Sequence, residues 1–208
     1  MIDEKMKRFF ECNPDTPPYN VIGDYRCSVH YNNTYRLAKA REQAIFSTVD
    51  TEIIISYVNE FFEAIGMNTI ESPKIHNPQQ IDYKKIKKDN VLADERDIVW
   101  MKFTTKGYLG VVAKSNDINF DIPLNVSDYD KKEWRYNSYL KKQELVWKHT
   151  SSGILVHQLG QEWDTSFVLM FPLVNIPDGY DSGDIETAIG NYLISKEVPI
   201  IDFYSHNY

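Results

Sequence analysis

Apolar side chains recur along the C-terminal stretch in the rhythm of a helix. Ile185, Ala188, Ile189, Tyr192 and Leu193 fall at i, i+3, i+4, i+7 and i+8, on one stripe. Asp184 is placed to cap that helix, because its carboxylate can accept from the free N–H groups of the first turn. Glu186 adds negative charge at the positive helix end. Lys196 suits the opposite end, and Pro199 stops the helix. Ile200 to Tyr204 then alternates as a strand, with Ile201 and Phe203 on one face and Ile200, Asp202 and Tyr204 on the other. A helix feeding a short apolar strand forms a core unit, and the rest of the chain is expected to pack around it.

The same periodicities predict the other elements. A short amphipathic helix is expected over 2–11, with Met6, Phe9 and Phe10 on its apolar side, broken by the proline-rich run 13–18. Residues 21–31 read as a strand or an ordered loop, and Asn33 or Thr34 caps a helix running to Phe46. Asp50 opens a helix on which Ile54, Val58, Phe61, Phe62 and Ile65 share a face, and Gly66 is placed to end it in the left-handed conformation. Residues 67–80 read as a surface connection, followed by a lysine-rich helix over 79–88, for which Pro78 suits the start. From Asp97 the period becomes two. Strands 98–104, 108–114 and 117–122 are expected as an antiparallel meander, its turns at Thr105–Gly107 and Ser115–Asn116. Residues 127–142 are expected to be helical, and 145–149, 154–159 and 167–173 to be strands. Helices, then strands, then a helix and strand fit an α+β class. The reading is one globular domain over 1–208, with a mostly antiparallel sheet flanked by helices and residues 1–18 as an N-terminal appendage.

Composition narrows the function classes only modestly. Hydrophobic residues at 42% and aromatics at 13% supply a sizeable core. A net charge of -7 argues against wholesale electrostatic binding to nucleic acid or anionic membrane, while leaving room for a local basic patch. The most apolar run, 167–174, is too short to span a bilayer, so no membrane association is expected. The two cysteines, Cys12 and Cys27, show no metal-type spacing, and the charged start lacks an apolar leader. A cytoplasmic location with free thiols follows as the expectation.

Candidate chemistry comes from three places. His149, His157, Glu162, Asp164, Asp202 and His206 form the richest polar group. If strands 154–159 and 200–204 share a sheet, His157, Asp202 and His206 could meet as catalytic groups around a divalent metal, although a strand histidine is more often a half-buried residue with one hydrogen-bond partner. Asp82-Tyr-Lys84 and Asp130-Lys-Lys132 match the end of a nuclease-type carboxylate–lysine pattern, but both fall on predicted helices or loops. Cys27 and His30 sit three apart, a spacing that on a strand puts them on opposite faces and argues against a thiol–imidazole pair there. P-loop, dinucleotide, zinc-protease and nucleophile-elbow signatures are absent from the sequence.

The third place is Tyr129 to Lys148. Six cations, Lys131, Lys132, Arg135, Lys141, Lys142 and Lys148, stand against three carboxylates, a local charge of +3 that leaves -10 for the remainder. Lys131, Lys132, Trp134, Arg135, Lys141 and Lys142, with Tyr136, Tyr139 and Trp147 interleaved, are the residues that would grip phosphates and stack bases. The favoured reading of the segment is plainer: an amphipathic helix with its aromatic side in the core and its lysines in water. The functional expectation is therefore a small protein that binds another protein without catalysis of its own. The alternative is a metal-dependent enzyme acting on nucleic acid or nucleotides, with 129–148 as its substrate grip.

Overall fold

A computed structural model describes residues 2–10, 47–114, 132–137, 140–147, 153, 156–157 and 159–202 of the 208-residue chain. The described residues form an α+β fold. Helices α1 (Glu4–Lys7), α2 (Thr51–Ile65), α3 (Tyr83–Asn90) and α4 (Ser182–Ser195) accompany a five-stranded sheet and a separate two-stranded one. The large sheet contains β1 (Lys74–His76), β2 (Ile98–Phe103), β3 (Leu109–Lys114), β6 (Phe167–Pro172) and β7 (Ile200–Asp202), in the order β1-β6-β2-β3-β7. Every neighbouring pair is antiparallel except β3–β7. β4 (Lys132–Asn137) and β5 (Lys142–Trp147) pair with each other as a hairpin.

The large sheet is covered on both faces, which is why β2 is buried along its whole length. Val99, Met101, Phe103, Leu109, Leu169 and Phe171 face α2 and α4 in the main core. Ile98, Trp100, Val168 and Met170 face the other way, against Leu92, Ile75, Ile81 and Trp163. α4 is the centre of the main core. It is buried from Ser182 to Ile194 except at Asp184, so its apolar stripe is only part of what it hides. Residues 2–10 join this core: Phe9 meets Phe61 and Tyr192 edge-on, and buried Asn191 donates to the Phe9 carbonyl at 2.7 Å.

Several expectations hold. α2 starts at the Asp50 cap, whose carboxylate accepts from Glu52 N–H, and it ends at Gly66 with φ 81°. Its five predicted core residues are buried. The Leu193 stripe is buried throughout, the helix stops at Lys196 before Pro199, and β6 is the predicted buried strand. The lysine-rich helix is present as α3 but starts at Tyr83, four residues later than predicted and capped by Asp82, while Pro78 opens a separate short 3₁₀ turn ahead of it.

Other expectations are corrected. The cap of α4 is Asp181, three residues earlier than predicted: it accepts from Gly183 and Asp184 N–H, and Asp184 accepts from Asp181 N–H in return. That reciprocal box satisfies first-turn donors that a single cap would leave open. The connection over 67–80 includes edge strand β1. Val156 and His157 lie in a helical stretch, so the strand over 154–159 is not formed there. The helix over 127–142 is also not formed. Its described part is β4, a turn and the start of β5, because Trp134 and Tyr136 repeat at spacing two and aromatic residues favour a pleated surface. The expected third meander strand, the 21–31 stretch and the helix to Phe46 lie outside the described residues. No helix among the described residues is long and apolar enough to cross a membrane.

Candidate functional site

The β4–β5 register sorts the hairpin's positions by face. Trp134 lies opposite Leu145, Tyr136 opposite Gln143 and Lys132 opposite Trp147; Arg135 lies opposite Glu144 on the other face. Lys141, in the turn, adopts the left-handed conformation with φ 53°. The first face is apolar and it is in water: Trp134 is 68% exposed, Tyr136 59% and Leu145 50%, with Leu140 in the turn at 48%. None of these residues belongs to the apolar clusters of the body, among the described residues. For Trp134 and Tyr136 the reading in which the aromatic side is core is therefore overturned.

The opposite face is laced with charge. Glu133 accepts from Arg135 Nε at 2.5 Å, and Glu144 lies 3.3 Å from the Lys142 ammonium. Both carboxylates are thus held by cations of the hairpin itself. Residues 132–147 carry four cations and two carboxylates, net +2, and the rest of the chain accordingly holds -9 of its total of -7.

Of the predicted nucleic-acid-binding residues, the structure places Lys132, Trp134, Arg135, Lys141 and Lys142 together on this hairpin, while Lys131 lies outside the described residues. Leu145, Gln143 and Leu140 were not singled out by sequence. The alternation of 134/136 against 143/145 is the signal that would have found them.

The polar constellation fares differently. His157 is half-buried in its helical stretch, and Asp202 closes β7 at the position opposite Val111. His206 and His149 lie outside the described residues. Asp164 is engaged locally, its carboxylate accepting from Ser166 N–H at 2.7 Å and from the Ser166 hydroxyl at 2.6 Å. Among the described residues no group of three or more His, Cys, Asp or Glu is placed to hold a metal ion. Asp82 serves as the α3 cap by accepting from Lys85 N–H at 3.1 Å, and Lys84 lies on that helix.

A buried lysine unforeseen from sequence sits on the outer sheet face. Lys102 is only 7% exposed, its ammonium 5.4 Å from the Trp100 ring and 5.6 Å from the Trp163 ring. Trp163 is fixed there by a β-bridge to Thr104, and its ring lies where a Cβ on Gly110 would sit. Two indole faces offer the ammonium partial compensation for lost water.

A third charged group ties α2 to α4. The Lys196 ammonium meets both Glu60 oxygens, at 2.9 and 3.1 Å, and lies over the Tyr57 and Tyr192 rings. The bond from Lys196, with a second from Tyr192, holds the Glu60 carboxyl below its ordinary range. The same bond to Glu60 pushes Lys196 up. Burial, then Glu60, raises the Tyr192 hydroxyl.

Comparison of the chain with protein-family profiles, with curated proteins and with solved structures gives no match.

Proposed function

We propose that this protein acts by binding a macromolecular partner, with the β4–β5 hairpin as the contact element and the buried sheet and helices as its mount. The observation that carries this reading is the exposed row of Trp134, Tyr136 and Leu145. A two-stranded hairpin is marginal in water by itself, and large apolar side chains lying on it gain little until a second surface covers them. Trp and Tyr are also the residues that most often dominate binding energy. The mount suits its task, because α4 and both sheet faces are closed by the chain's own side chains.

Native mass spectrometry of protein purified from its own source tests the reading. The wild type is expected to retain a bound macromolecule, and a Trp134→Ala/Tyr136→Ala/Leu145→Ala variant to lose it while its body unfolds at the wild-type temperature. Equal retention by both proteins would place the contact elsewhere. A variant whose body no longer folds would show that the face serves folding instead.

A further inference from the structure

We infer that the partner gripped by this face is single-stranded nucleic acid, an inference that rests on the hairpin being the contact element. Charge gives the first reason. The hairpin is net +2 in a chain otherwise at -9, so a polyanion is repelled by the rest of the chain and attracted here. The two hairpin carboxylates do not spoil this field, since Glu133 is bonded to Arg135 and Glu144 is paired with Lys142. Lys132 shares the apolar face with the rings, and Lys141 stands exposed in the turn at its end.

Ring spacing gives the second reason. Trp134 and Tyr136 are two residues apart on one strand, so their Cα atoms are separated by roughly 6.8 Å. Stacked bases rise by only ~3.4 Å per nucleotide. One base on each ring therefore requires neighbouring bases to part, which a single strand does readily and a duplex does not. Exposed rings beside cations are the combination that grips an unpaired strand without reading its sequence.

The experiment is a fluorescence-anisotropy titration of the full chain with labelled oligo(dT) and oligo(rA) of about 15 nucleotides, near the upper site size of a small single-strand binder. Both strands are expected to bind at low salt, more tightly than a duplex of equal length. With two to four phosphates neutralised, the slope of log K against log salt should be about -1.4 to -2.8, a loss of roughly 7- to 50-fold between 50 and 200 mM. Lys132→Gln with Lys141→Gln should flatten the slope by about 1.4. Trp134→Ala should weaken binding roughly 5- to 150-fold.

Absence of binding to either strand by the wild type at low salt overturns the inference, as does equal affinity for the duplex. If native mass spectrometry then shows a protein retained by the wild type and lost from the triple alanine variant, the hairpin stands as contact element and only the ligand class falls. If oligonucleotides bind and Trp134→Ala binds them as the wild type does, the hairpin itself is not the contact.

Discussion

Helix α4 and the β4–β5 hairpin both carry tyrosine, leucine and glutamate side chains and meet water in opposite ways. α4 buries the polar Glu186 and Asn191 along with its apolar residues. The hairpin leaves Trp134, Tyr136 and Leu145 in solvent. Tyr192 on α4 packs against Phe9 and Phe61, whereas Tyr136 on the hairpin is mostly exposed. Residue type does not decide which happens. Burial stabilises a fold at about 25 cal/mol per Å² only where a second apolar surface stands opposite. α4 has that surface in the sheet and α2; the hairpin face has none among the described residues.

The largest effect should come from breaking the buried side of this contrast. Leu193→Ala removes a fully buried side chain from the main core and should cost about 2–5 kcal/mol in urea unfolding. A loss below about 0.5 kcal/mol, the range of exposed positions, would erase the distinction between the two regions. The outer sheet face can be tested next. Gly110→Ala places a Cβ in steric clash with the edge of the Trp163 ring, and displacement of that indole should cost about 1–3 kcal/mol. Loss of the Trp163 near-ultraviolet circular dichroism signal would accompany it.

Smaller changes sharpen the picture of how α4 is held. Asp181→Ala removes the acceptor of two first-turn N–H groups and should cost about 0.5–2 kcal/mol by chemical unfolding. Glu60→Gln should cost only about 0.2–1 kcal/mol, since the ion pair to Lys196 is partly in water. Its pH dependence has a definite sign. Glu60 is depressed in the fold, so its contribution is present above the ordinary carboxyl value of 4.5 and is lost as pH falls through the lower folded value. Lys196 is raised, so its contribution is present below 10.5 and is lost as pH rises through the higher folded value. The stability gap between wild type and Glu60→Gln should therefore be widest between those two pH values and close at either end.

The fold was legible where a pattern was long and its terminators were distinct. Fifteen residues of α2 carried a cap, one apolar face and a terminal glycine, and all three signals agreed. α4 was read from its stripe, but the cap was missed because Asp181 and Asp184 both suit an N-terminus; only the return bond between them tells cap from third residue. The hairpin was misread because lysines suggest helix, while its strand signal rests on few positions, Trp134, Tyr136, Gln143 and Leu145. Residue identities of the candidate site were visible all the same, since cations interleaved with rings stand out in any conformation. Their exposure was not visible, because it depends on what the rest of the chain places opposite them. The Lys102 environment was likewise hidden: Trp163 reaches it through a bridge between segments about sixty residues apart.

The central claim is that the hairpin face contributes to binding and not to folding. The unfolding free energy of Trp134→Ala, measured against the wild type in urea with no ligand present, tests it most directly. The two proteins should agree within about 0.5 kcal/mol. A loss of about 3–5 kcal/mol, the cost of truncating a buried tryptophan, would place the indole in a core and contradict the account.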